Sequence, residues 1–139
     1  MTSLGRAIPI VVVDASAMVE ALAGDPDWIG RLGRWQSDGT MVVAPAHFGP
    51  EMANALLLGV HLEPLDAIGR LRQLFEAGVE LVDRGLEGLF DSIELAARHG
   101  LTVYDAAYLQ LVLDVDGELA TCDRALARAA RAEGVTVIG

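Results

Sequence analysis

Ile10-Val11-Val12-Val13 is an unbroken run of β-branched residues, and Asp14 follows it with no turn between. Such side chains are stiff and favour extended backbone. A run without polar alternation belongs to a strand covered on both faces. From Ser16 to Ala23 the pattern changes to helical spacing. A doubly buried strand that feeds straight into a helix is the unit of an open parallel α/β sheet, and ligands bind at the carboxyl edge of such sheets. Asp14 would stand on that edge. Alone it is compatible with a helix cap; as a metal ligand it needs further oxygen donors from the same edge.

The alternation continues to the end of the chain. Strands are expected at Ile8–Val13, Met41–Ala44, Val79–Val82 (an edge strand), Glu118–Thr121 and Val135–Ile138. Helices are expected from Ser16, at Trp28–Gln36, Phe48–Leu58, from Pro64 to just before Gly78, at Leu86–His99, from Tyr104 or Asp105 to Leu113, and at Arg124–Glu133. Trp28, Leu32 and Trp35 share a helix face, and Leu65, Ile68, Leu71, Leu74 and Phe75 form the apolar stripe of the Pro64 helix. The pattern predicts a three-layer α/β/α architecture with a mostly parallel sheet of four or five strands, and residues 1–139 read as one domain without linker, repeat or low-complexity segment.

At 53% hydrophobic residues the chain can bury a sizeable core. The formal charge is −10, and all ten basic residues are arginine. The absence of lysine excludes a P-loop and a Schiff-base enzyme. An acidic chain is a poor generic nucleic-acid binder, unless bound cations cancel the local negative charge. Cys122, the only cysteine, excludes an internal disulfide and points to a reducing compartment. The apolar run after Arg6 ends at Asp14, too short for a leader, and no stretch approaches the roughly 18 apolar residues of a membrane span. A cytoplasmic protein with no membrane association is expected.

Three further acids occupy equivalent places. Glu51 lies in the first turns of the helix after the second strand, Asp105 begins the helix after Leu101-Thr102-Val103, and Asp123 follows the strand before the last helix. With parallel strands all four face one edge. Crowded carboxylates repel and their pKa values rise unless a cation sits among them; hard oxygen donors suit Mg²⁺ or Mn²⁺. No Cys/His spacing supports zinc. Taken singly, Asp14, Asp105 and Asp123 could each cap a helix, and Glu51 could complement a helix dipole.

Val12-Val13-Asp14-Ala15-Ser16, Pro50-Glu51-Met52-Ala53-Asn54-Ala55-Leu56, Thr102-Val103-Tyr104-Asp105-Ala106-Ala107-Tyr108 and Leu119-Ala120-Thr121-Cys122-Asp123-Arg124-Ala125-Leu126 together resemble the PIN domain family, most closely the VapC-type toxins of bacterial toxin–antitoxin pairs. The resemblance runs from the first strand to Gly139. It implies a metal-dependent endoribonuclease in which Asp14, Glu51, Asp105 and Asp123 hold one or two Mg²⁺ or Mn²⁺ ions. A metal-activated water would leave 5′-phosphate and 3′-hydroxyl ends on structured RNA such as tRNA or rRNA. Ser16, Asn54 and Thr121 match polar positions that orient the acids. A homodimer and a cognate antitoxin are implied as partners. The missing lysine departs from the family pattern, so RNA contacts fall to arginines: Arg31, Arg34, Arg128 and above all Arg124, which adjoins Asp123.

Other residues read more plainly. His47, four positions before Glu51, is taken as a cap-region histidine, Tyr108 as packing, and Tyr104 as a candidate substrate contact. The apolar excess between Trp28 and Phe75, clearest at Leu56-Leu57-Leu58, is a candidate partner surface. Two rival functions use the same edge: a catalytically inactive PIN-like binding domain, and a receiver-like phosphorylatable domain, which the missing lysine disfavours.

Overall fold

The computed structural model describes residues 8–139; Arg6 and the start of the run that follows it lie outside them. The described residues form five parallel strands, β1 (Ile10–Val13), β2 (Met41–Pro45), β3 (Val79–Val82), β4 (Glu118–Ala120) and β5 (Val137–Ile138), in the order β3-β2-β1-β4-β5. Helices α1 (Ala15–Leu22), α2 (Pro26–Asp38), α3 (Phe48–Asn54) and α4 (Pro64–Glu76) pack together, as do α5 (Gly85–His99), α6 (Val103–Val115) and α7 (Arg124–Ala132). Right-handed crossovers between parallel strands send the first group to one face of the sheet and the second to the other. The expected three-layer α/β/α architecture is present, and the sheet is parallel throughout.

The order of strands settles where a ligand would go. From β1 the chain moves outward to β2 and β3, then crosses back to β4 on the other flank of β1. The connections therefore diverge above the carboxyl ends of β1 and β4, which opens a crevice there. Val11, Val12 and Val13 are buried and pair on one side with Val42 and Val43 and on the other with Glu118, Leu119 and Ala120. The close approach of β4 requires Gly117, where an added Cβ would stand 2.6 Å from the Ile10 carbonyl oxygen.

Helix α6 is apolar on most of its circumference, with Ala106, Tyr108, Leu109, Leu111 and Val112 buried, as expected of a helix packed on the sheet and beneath α5 and α7. Each fully buried leucine or valine contributes about 1.5–3 kcal/mol. That anchorage holds the first turn of α6 firmly against the crevice.

Two expectations change. The helix expected at Phe48–Leu58 is α-helical only to Asn54 and continues as a π-helical turn, Ala55–Gly59, in which Val60 N–H donates to the Ala55 carbonyl at 2.9 Å. The wider turn buries Leu56 while Leu57 and Leu58 face outward. In α4 the buried residues are Ala67 and Leu74, and the expected core positions Leu65 and Ile68 are exposed. The face turned to the core carries Ala67 and Leu74, with Leu71 and Phe75 partly buried beside them. An exposed apolar row on α5, Leu86, Leu89, Phe90 and Ile93, joins the surface hydrophobics. No helix among the described residues is long and apolar enough to cross a membrane.

Candidate functional site

Asp14 leaves β1 in an extended conformation and caps α1, its Oδ1 accepting the Ala17 N–H at 2.9 Å. Ser16 Oγ lies 2.7 and 2.9 Å from the two carboxylate oxygens, and Thr121 Oγ1 donates to Oδ2 at 2.5 Å. The same two hydroxyls accept backbone donors from the loop after β4: Ser16 Oγ from Cys122 N–H and Thr121 Oγ1 from Asp123 N–H, both at 2.9 Å. The carboxylate is thus the knot that ties the end of β1 to the end of β4. It is 4% exposed, and burial pushes its pKa up to about 6 despite those hydrogen bonds; Asp123 adds to the rise.

Asp123 caps α7, with Oδ1 accepting Leu126 N–H at 3.0 Å. The cap function and a place on the crevice therefore coexist at both aspartates. Asp105 does not cap its helix. Thr102 does, accepting Asp105 N–H at 3.1 Å, and Asp105 sits in the first turn, half-buried. Its pKa is raised, first by burial and then by the charges of Asp123 and Glu51. Glu51 comes from α3 and accepts the Tyr108 hydroxyl at 2.5 Å. Burial, and then that same bond, raise the Tyr108 pKa, which keeps the hydroxyl a donor.

The structure brings Asp14, Asp105, Asp123 and Glu51 to one edge, where they perturb one another electrostatically. Among the described residues no arginine forms an ion pair with any of them, and no three His, Cys, Asp or Glu side chains stand close enough to enclose an ion as they are placed. The donor set is all carboxylate oxygen around uncompensated negative charge. It fits a hard divalent cation in charge and chemistry, while the cage is not drawn together.

Ser16 and Thr121 hydrogen-bond Asp14, whereas Asn54 is exposed at the end of α3 and makes no hydrogen bond to the acids. Arg124 is exposed at the start of α7 and, with Arg128 and Arg131, lines an open groove beginning at Thr121 and Asp123. Arg31 donates at 2.9 Å to the carbonyl of Gly139, which lines the same groove, and stacks over Trp28, while Arg34 is exposed on α2.

Two residues do more than their sequence positions suggest. Tyr108 packs in the core and also grips Glu51. The His47 ring packs tilted against Tyr104 and edge-on against Tyr108, at ring separations of 5.6 and 4.9 Å. Its Nε2 lies 3.4 Å from Glu51 Oε1, near enough to feel the charge but misaligned for a hydrogen bond, and so has no partner in the described structure. The signal lay in spacing: His47 and Glu51 are i,i+4, Asp105 and Tyr108 are i,i+3, and each pair shares a helix face.

A central parallel strand ending in a buried, hydroxyl-held aspartate, with three more acids on the same edge, defines the class. Residues 11–132 match the PIN domain family, and the chain belongs to it. Among its relatives, a protein named ribonuclease VapC3 from Mycobacterium tuberculosis is 34% identical over 133 residues, covering 86% of each chain. A ribonuclease VapC3 from Pyrobaculum aerophilum is 44% identical over 63 residues, but the matched stretch spans only 48% of that protein. The fold is shared with the Rickettsia felis VapBC2 complex bound to a promoter DNA fragment (TM-score 0.70, 13% identity, 93% of this chain and 97% of that one). It is shared also with Mycobacterium tuberculosis VapC20, a toxin that cleaves the sarcin-ricin loop (TM-score 0.68, 18% identity, 86% and 94% covered).

Proposed function

We propose that this chain is a metal-dependent endoribonuclease toxin of a toxin–antitoxin pair, acting in the cytoplasm on structured RNA such as tRNA or rRNA and leaving 5′-phosphate and 3′-hydroxyl ends. The observation that carries this reading is Asp14, a buried carboxylate held by Ser16 and Thr121 at the divergence of β1 and β4, with Glu51, Asp105 and Asp123 around it. Similarity over 86% of each chain to a protein named ribonuclease VapC3 supports it.

Asp14, Glu51, Asp105 and Asp123 would hold Mg²⁺, or Mn²⁺ in its place. Such an ion lowers the pKa of a bound water and offsets charge developing on a phosphodiester. Everything else falls to the chain. Ser16 and Thr121 fix the Asp14 carboxylate, Tyr108 fixes Glu51, and burial excludes bulk water from the inner end of the crevice. Arg124 and Arg128 supply positive charge along the groove leading away from Asp123, where phosphates of a long RNA would lie.

A cognate antitoxin and a second copy of this chain are the proposed partners. Structural neighbours include toxin–antitoxin complexes from Klebsiella pneumoniae and Rickettsia felis, and the exposed Leu58, Leu65, Ile68 and Phe90 provide apolar surface for such contacts. Sizing the chain alone and with the product of an adjacent gene measures both.

The test is brief expression followed by mapping of 5′-phosphate ends in total RNA, wild type against Asp14→Asn. New ends that depend on Asp14, and cleavage in vitro abolished by EDTA, are expected. Undiminished cleavage in Asp14→Asn or in EDTA defeats the reading. The second reading, a PIN-like binding domain without catalysis, is favoured by one observation: the acids do not close into a cage as placed. Antitoxin binding without cleavage of any RNA in Mn²⁺ would select it.

A further inference from the structure

Past His47 and Tyr104 the acid edge opens into a cavity of about 260 Å³, bounded by the carboxyl ends of β2 and β3 and by α5 and α6. Its walls are mostly apolar, including Val82, Leu89, Val103 and Leu111. Tyr104 stands at the mouth, 66% exposed, immediately before Asp105, and its ring is tilted against that of His47. Asp83, Arg84 and Asp114 line the cavity, and Arg84, the one arginine among the lining residues, is already paired with Asp114 and reaches toward Asp91. No cation is therefore free there to select a phosphate. Gln110 donates its amide to Asp114 at 3.1 Å, which leaves the Gln110 carbonyl oxygen as an acceptor for an amino group.

The cavity thus offers mostly apolar walls, an exposed aromatic at the entrance and hydrogen-bond acceptors at Gln110, Asp83 and Asp114, with no unpaired cation. Its volume lies just below the roughly 300 Å³ at which drug-sized sites begin. A flat neutral heterocycle meets all these conditions. Stacking of a base on an aromatic side chain is the usual way proteins hold an unpaired nucleotide.

We propose that this cavity receives one unstacked base of the RNA adjoining the phosphate at the acid edge, with Tyr104 as the stacking platform, and that it sets the base preference at the cut. The proposal rests on the endoribonuclease reading for the nature of the ligand. A protein side chain is the competing occupant, and the cavity's continuity with the acids through His47 and Tyr104 favours the base.

The experiment follows backbone amide resonances of the whole chain as short homopolymeric oligoribonucleotides are added in EDTA, so that neither metal nor cleavage is needed. Shifts at Leu89, Val103, Tyr104 and Gln110, larger for one base type than for the others, are expected. Tyr104→Ala should weaken that binding about tenfold, within the range found for lost base–aromatic stacks. Ala107→Phe, which narrows the cavity and leaves Tyr104 in place, should weaken it too. Shifts confined to the α7 arginines, no shift at all, a response only to an antitoxin peptide, or equal affinity in both variants overturn the proposal. Cleavage in Mn²⁺ judges the nuclease reading separately. Wild-type cleavage with the same base preference in Tyr104→Ala removes the base pocket and keeps the nuclease. Base-selective shifts without cleavage keep the pocket and remove the nuclease.

Discussion

The two halves of the acid edge are built differently. Asp14 is sealed between β1 and β4, with hydroxyl or backbone donors on both oxygens. Glu51 and Asp105 come from helix first turns on the outer side, are only partly buried, and are held by one tyrosine hydroxyl and by their backbone. The inner half is preorganised at a cost, since burial of its charge opposes ionisation. The outer half is cheaper to fold and free to adjust. A site of this kind needs one fixed ligand to place a cation and others that can close around it, which fits four acids that share an edge without yet forming a cage.

The largest expected effect is on chemistry. Asp14→Asn and Asp105→Asn should each lower RNA cleavage in Mn²⁺ by at least about 100-fold, the scale seen when a preorganised charge-stabilising group is removed. Stability should separate the two in size: both carboxylates are held above their ordinary pKa, so both variants resist urea better at neutral pH, Asp14→Asn by more because Asp14 is buried and Asp105 only half-buried. Equal shifts in both variants would erase the distinction between the halves.

Next comes the pH dependence of that shift. Burial raises the Asp14 pKa from 3.8 to about 6, so the folded state binds this proton more tightly than the unfolded chain does. The stabilisation is fully present below about pH 4 and is lost as pH rises through about 6. A difference of about two pKa units corresponds to about 3 kcal/mol. Asp14→Asn cannot ionise, so its stability relative to wild type should climb by about that amount between pH 4 and pH 7.5. A flat difference across this window would mean that burial does not oppose the ionisation of Asp14.

A divalent cation should act in the opposite sense to the proton. At pH 7.5, Mn²⁺ at about 100 times its dissociation constant should stabilise the wild type by about 2.7 kcal/mol, visible as a rise in Tm. Glu51→Gln and Asp105→Asn should reduce that rise, and Asp14→Asn should abolish it. A full rise in Asp14→Asn would place the ion elsewhere.

How much of this the sequence discloses follows from the range of the forces involved. The junctions carrying Asp14 and Asp123 are legible because a short apolar run, an acid and a helical period occur within a few residues of one another. Thr121 and Ser16 are legible only through the family resemblance, which marks Asn54 equally, and the hydrogen bonds to Asp14 separate the first two from the third. The π-helical turn after Asn54 has no local signature, because it is decided by how Leu56 reaches the core. The outward turn of Leu65 and Ile68 likewise has no local signature, since the apolar stripe is wider than the face that Ala67, Leu71, Leu74 and Phe75 present to the core. Tyr108 is the instructive case: its burial follows from the pattern of α6, but its hydroxyl's partner, 57 residues away, depends on where α3 lands beside α6.

Tyr108→Phe gives the smallest effect and the finest comparison. The substitution keeps the ring in its buried site and removes only the donor to Glu51. A hydrogen bond to a charged group contributes about 1.5–3 kcal/mol when buried. The Glu51 side chain retains 37% exposure, so water replaces much of the lost bond and the expected loss of stability is below about 1 kcal/mol. Ion affinity should respond more, since removing a group that orients a ligand typically costs 10- to 100-fold. A Mn²⁺ titration of Tyr108→Phe read by thermal shift, beside the unfolding curve without metal, separates the two quantities. Weakened ion binding with near-normal stability would make Tyr108 a positioning residue of the adjustable half. A large loss of stability with unchanged affinity would return it to the core alone.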